Sequence, residues 1–142
     1  MTAFKALGRP SGLFSSSQGD MVEAAVTMPL LLLVTFALIN FALVGHARNS
    51  AQNAANHGAR VGAVTASGAG SAARQEAERL MANCFCTYSV TVSAADASGG
   101  TVTVTVAWTV PSYMDGFLQV MGGSAQGDFS GTVSASHRKE GW

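Results

Sequence analysis

Residues 24–45 form a run of 22 amino acids without a single charge, AAVTMPLLLLVTFALINFALVG. At about 1.5 Å per residue, a helix of this length measures about 33 Å, enough to cross a hydrocarbon core of about 30 Å. Threonine hydroxyls can bond back to a helical carbonyl, so Asn40 is the one side chain with an appreciable cost in lipid. Pro29 is acceptable because membrane helices tolerate proline near an end. The run predicts a single transmembrane helix.

A cleaved secretory signal is the alternative interpretation of the same run. Gly45 and Ala47 are small residues at the two positions that a signal peptidase reads. The apolar core of such a signal is usually about 7–15 residues, however, and its positive charges stand directly before the core. Here acidic residues stand next to the run instead, at Asp20 and Glu23. The length and the charges favour a transmembrane helix.

The composition of the whole chain excludes several classes of protein. Charged residues make up 11% of the chain, and eight Lys and Arg balance eight Asp and Glu. Such a balance gives no basic surface for nucleic acid, and 48% hydrophobic residues exclude general disorder. His46 and His57 would lie about 16 Å apart on one helix, too far for one metal ion. With no catalytic motif in the sequence, we expect no enzyme activity, cofactor, metal or small-molecule substrate.

Three segments follow from this pattern. Residues 1–19 are expected to form a cytoplasmic leader, residues 20–65 a transmembrane helix with a helical extension, and residues 66–142 a small extracytoplasmic domain. The domain is placed outside the cytoplasm because it is rich in Thr, Ser and Val and contains two cysteines. The expected location is the inner membrane, with a single pass.

The extension beyond the membrane carries small side chains at steps of three and four residues. These include Ala47, Ala51, Ala54, Gly58 and Ala59. A stripe of small residues allows another helix to approach closely, and we include Pro29 in the same candidate packing surface. High helix propensity of alanine explains the composition equally well.

After this extension, the spacing of the apolar residues changes from the helical period of about 3.6 residues to the strand period of 2. A second helix is expected at residues 72–83, with Ser71 as its N-cap, followed by strands at residues 87–94 and 101–110. Residues 112–123 are consistent with a short helical turn, and residues 128–137 with a weaker third strand. The arrangement predicts an α+β fold in which helices accompany a small antiparallel meander.

Cys84 and Cys86 are separated by a single residue. In an extended strand their Cα atoms would lie about 6.6 Å apart, near the limit for a disulfide, so a bridge needs a local turn. A disulfide within the chain, an intermolecular bond and free thiols remain open.

Two segments resemble TadE-like proteins, which are pilin-like components of the tight-adherence (type IVb) pilus machinery. The first begins at Gly19 and Asp20, continues through Glu23, and enters the Pro29-Leu30 run. The second is the ARNSAQNAANHGAR segment that ends at Arg60. The order and spacing of the glutamate, the proline and the closing Gly-Ala-Arg carry the resemblance.

The resemblance implies handling of the prepilin type. A membrane peptidase would cut at Gly19, before Asp20, and Glu23 would pair with the freed amine of a neighbouring subunit. Such pilins usually have the acidic residue fifth after the cut, whereas Glu23 is fourth after Gly19. A cut after Gln18 would restore the spacing but leaves Gln rather than Gly before the bond. Glu23 is also explained as an interfacial carboxylate favoured by a helix N-terminus.

The resemblance favours a minor pilin-like subunit, or pseudopilin, that assembles or stabilises a pilus. Its partners would be the lipid bilayer, other pilins or pseudopilins, Tad assembly proteins and a prepilin-type peptidase. The alternative is a membrane-anchored adhesive or binding module outside any pilus.

Overall fold

Three helices and three strands follow one another along the chain in the computed structural model, which describes residues 16–95 and 97–139, with side chains from residue 21. The elements are α1 (Ser16–Val64), α2 (Ala69–Met81), β1 (Thr87–Ala94), β2 (Thr101–Val110), α3 (Met114–Val120) and β3 (Phe129–Arg138). The predicted α+β fold class is confirmed, and residues 1–15 of the expected leader lie outside the described residues. The chain divides into two units, Met1–Thr35 and Phe36–Trp142.

The described part of the first unit is helical, and most of its side chains from residue 21 onward are exposed. Pro29 lies within α1 without ending it. The Thr35 hydroxyl donates to the Leu31 carbonyl at 2.8 Å, as expected of a threonine in an apolar helix. One helix in the described part of the chain, at Met21–Val64, is long and apolar enough to cross a membrane.

The second unit contains the sheet, which has the strand order β1-β2-β3 and is antiparallel throughout. Alternate residues of β2 are fully or nearly buried on one face, namely Val102, Val104, Val106, Trp108 and Val110. This face packs on α2 and on the second half of α1, so the core consists mostly of alanine and valine. The opposite face is rich in Ser and Thr, and the Thr105 hydroxyl donates there to the Ser134 hydroxyl at 3.2 Å.

The start of α2 differs from the prediction. The helix begins at Ala69, one residue after Gly68, which adopts a left-handed conformation with φ 70°. The Ser71 hydroxyl donates to the Gly68 carbonyl at 2.8 Å, so Ser71 is not the N-cap. The physical reason is burial, because the earlier start brings Ala69 into the core.

The charged residues of α2 pair along its outer surface at spacings of three and four residues. Arg79 contacts Glu76 at 2.7 Å, and Arg74 lies 3.8 Å from Glu78. The hydrogen bond from Arg79 holds the pKa of Glu76 below its ordinary value. Arg74 also donates to the Val90 carbonyl at 3.0 Å, which fastens α2 to β1.

Candidate functional site

The first candidate surface is the exposed apolar part of α1 in the N-terminal unit. Large apolar side chains are open there, with Met21 74% exposed and Val26 70% exposed. Glu23 is exposed among them, and helical spacing places Thr27 and Leu31 on the same face. Contact of such a surface with water is unfavourable, because moving apolar area out of water lowers the free energy. It is therefore a surface made for lipid or for other apolar helices.

Gly19 and Asp20, the predicted processing residues, lie in the first turns of α1. Their side chains are outside the described residues. The cut that the resemblance implies remains a prediction.

The stripe of small residues on α1 lies in the C-terminal unit, where it is buried. Its alanines are at most 1% exposed, namely Ala47, Ala51, Ala54, Ala55 and Ala59. They pack into the same core as α2 and the valines of β2. The close approach that small residues permit is therefore used within the chain, by α2 and the sheet.

Two glycines in this stripe mark the closest approach. A Cβ atom added at Gly58 would lie 2.8 Å from the Ala73 carbonyl oxygen and 3.1 Å from the Cβ atom of Ala77. At Gly62 it would lie 2.8 Å from a methyl group of Val102 and 2.9 Å from the Ala69 carbonyl oxygen. Only glycine leaves room for the backbone of α2 at these two positions.

A second candidate surface is formed where the loop between β2 and β3 packs on α1. Asn40 is only 2% exposed, and its side-chain oxygen accepts a hydrogen bond from the Tyr113 backbone N–H at 3.2 Å. Its side-chain nitrogen is buried without a hydrogen-bond partner. Nearby, the ring of Phe117 lies 5.9 Å from that of Phe36. A mostly apolar cavity of about 270 Å³ lies beside Asn40, lined also by Phe41, Val44, Met114 and Phe129.

Asp115 holds this loop together. Its carboxylate accepts hydrogen bonds from the Ser112 hydroxyl at 2.9 Å, the Gln126 N–H at 2.9 Å and the Gly127 N–H at 3.1 Å. The hydrogen bond from Gln126, followed by that from Ser112, lowers the pKa of Asp115 below its ordinary value. The loop is thus closed by an ionised carboxylate rather than by apolar burial.

Cys84 and Cys86 form a disulfide at the junction of α2 and β1, with their Cα atoms 5.2 Å apart. The turn that such a bridge requires is present, because the Cys84 N–H donates to the Met81 carbonyl at 2.9 Å. Phe85 between the two cysteines is exposed. The bridge closes a very small ring and fixes how the chain leaves the helix.

Among residues 16–95 and 97–139, no three His, Cys, Asp or Glu side chains form a group that could hold a metal ion. The structure does bring His57 and His137 to one surface depression, together with Asn56 and Arg60. Sequence reasoning missed this pairing because β3 and α1 are far apart in the chain.

The family model described as TadE-like protein matches residues 21–60. The matched segment contains Glu23, Pro29 and the small-residue stripe as far as Arg60, so the predicted resemblance is confirmed on the residues that carry it. The family is pilus-associated and structural. Searches of the curated proteins and of the solved structures gave no match.

Proposed function

We propose that this chain is a pilin-like minor subunit, or pseudopilin, that takes part in assembling or stabilising a tight-adherence (type IVb) pilus. The match of residues 21–60 to the TadE-like family carries the proposal. The architecture supports it, because an exposed apolar helix precedes a small domain built on the continuation of that helix. Its surroundings would be the inner membrane, with the N-terminus in the cytoplasm and the domain outside.

Glu23 is the residue proposed to pair subunits. It lies among exposed apolar side chains, and a lone carboxylate in hydrocarbon is costly unless an opposite charge accompanies it. The amine of a neighbouring subunit, freed when a prepilin-type peptidase cuts near Gly19, supplies that charge. Other pilins or pseudopilins and Tad assembly proteins would be the remaining partners.

Intact-mass measurement of the chain from its own membranes tests the processing step. We expect loss of the first 18 or 19 residues, and we expect Gly19→Val to abolish that loss. A full-length chain in the membrane contradicts processing.

Exchange of one carboxylate for an amide tests the pairing step. Glu23→Gln should reduce pilus number in cells that carry this variant as their only copy, while the chain still enters the membrane. Glu78→Gln is the matched control, because it makes the same chemical change at an exposed position on α2. Normal piliation with Glu23→Gln contradicts the pairing role, and normal piliation without the whole chain favours an anchored adhesive or binding module instead.

A further inference from the structure

The loop that contains α3 presents an apolar surface that the proposed function leaves unexplained. The α3 loop, defined here as residues 112–123, is attached to α1 by two contacts within the C-terminal unit. The Tyr113 N–H donates to Asn40 at 3.2 Å, and the Phe117 ring lies 5.9 Å from the Phe36 ring. The loop is thus fixed on α1 at residues 36–40.

We propose that the α3 loop lies in the outer headgroup–hydrocarbon boundary of the lipid bilayer, with Val120 and Met121 entering the acyl region. This inference rests on the proposed membrane anchor. It adds a second contact between the chain and the lipid, supplied by a part of the domain more than 60 residues beyond the apolar run.

The length of the apolar part of α1 determines how deep in the bilayer the α3 loop would lie. A hydrocarbon core of about 30 Å takes about 20 helical residues. Counted from Met21, the first residue after Asp20, these residues end at Asn40, and counted from Ala24 they end at Leu43. The outer edge of the hydrocarbon therefore falls at residues 40–43, beside the residues that hold the α3 loop.

The chemistry of the loop suits this depth. Val120 is 85% exposed, Met121 is 60% exposed, and Tyr113, an aromatic residue of the kind enriched at membrane boundaries, is half exposed. Asp115 is the single charge in residues 112–123, and its carboxylate accepts one hydrogen bond from Ser112 in the loop and two from Gln126 and Gly127 just after it. The exposed side chains of the loop are thus Tyr113, Gln119, Val120 and Met121, and none of them carries a charge.

The surface of α1 beside the loop is apolar as well. Leu38 is 64% exposed and Phe41 is 72% exposed, and Phe41 lines the same cavity as Met114 of the α3 loop. A protein partner would be expected to meet a polar rim around an apolar centre, whereas lipid requires an apolar surface continuous with the anchor. The continuity favours lipid over a second copy of the chain.

A photoreactive side chain distinguishes the possible occupants. We would place p-benzoylphenylalanine at Val120, and separately at Met121, in the full chain reconstituted into vesicles of phosphatidylethanolamine and phosphatidylglycerol. Leu38 on α1 serves as the positive control for lipid contact. Ala97, exposed in the turn between β1 and β2, serves as the control outside the membrane.

After illumination, we expect lipid adducts at Val120 and Met121 in several-fold excess over Ala97, detected by mass. Adducts to a second copy of the chain, or adducts no more frequent than at Ala97, overturn the proposal even when Leu38 reacts with lipid. Absence of lipid adducts at Leu38 overturns the membrane anchor itself. The two failures are therefore distinct.

Discussion

Replacing Gly62 by alanine should destabilise the domain, although the same change stabilises most helices. In a free helix, glycine to alanine is favourable by about 1 kcal/mol. At Gly62 the new methyl group would lie 2.8 Å from a Val102 methyl, 2.9 Å from the Ala69 carbonyl oxygen and 2.9 Å from the Ala73 Cβ atom. Ordinary van der Waals separations are about 3.5–4.0 Å, so three buried neighbours must each move.

Those neighbours have little freedom to move. Val102, Ala69 and Ala73 are all fully buried, and one of the contacting atoms belongs to the backbone of α2. Overpacking a core costs about 1–3 kcal/mol, and three simultaneous contacts favour the upper end of that range. After the gain in helix propensity, we expect a net loss of about 2 kcal/mol in the free energy of unfolding.

Thermal unfolding of the full chain in detergent micelles measures this effect. Near-UV circular dichroism reports the buried Trp108, so the signal follows the domain rather than the apolar helix. At about 4–8 °C per kcal/mol, Gly62→Ala should lower Tm by roughly 10 °C.

Gly45→Ala is the matched control, since it lies on the same helix with no other atom within 4 Å of the added Cβ. Its Tm should stay level or rise slightly. An unchanged or raised Tm for Gly62→Ala would refute the close packing of α2 on α1.

Three further predictions concern the sheet, the α3 loop and the disulfide. Gly131→Ala should displace the Trp108 ring, whose Cζ2 atom lies 2.5 Å from the added Cβ, and weaken the near-UV signal. Because the pKa of Asp115 is lowered, its stabilisation of the loop is complete above about pH 4 and is lost as pH falls through the lowered value. Pepsin cleavage of residues 116–123, normalised at each pH to cleavage of an unfolded reference substrate, should therefore rise in acid, whereas the normalised cleavage of Asp115→Asn should not change with pH. Replacing both Cys84 and Cys86 by serine should cost at most about 1.6 kcal/mol by ring size, a smaller Tm change than Gly62→Ala.

Local periodicity identified most of the secondary structure. The alternation of valine and threonine at residues 101–110 predicts β2 with both its ends, because a two-sided sheet requires that period. The start of α2 was placed three residues late, because Ser71 offers a good cap and the sequence does not show that Ala69 will be buried. The third strand, predicted at residues 128–137, is found at Phe129–Arg138.

The candidate site was only partly predictable. The apolar helix with Glu23 is a local feature, and its spacing carries the resemblance to TadE-like proteins. The small-residue stripe was also identified from the sequence. Whether it packs within the chain or against another helix depends on contacts between residues that are far apart in the sequence. The structure places Gly58 and Gly62 against α2 and β2 of the same chain.

The sequence by itself determined the apolar helix, the α+β fold class and the family resemblance, because each depends on residue types at short, regular spacing. Only the tertiary structure decided what covers the far end of that helix. Asn40, the one costly polar side chain in the charge-free run, accepts a hydrogen bond from Tyr113, 73 residues later. This contact exists because β2 runs back along α1. Val102 lies against Gly62 and Val104 lies against Gly58. No local pattern encodes that return, since it arises from packing of the whole sheet on the helix.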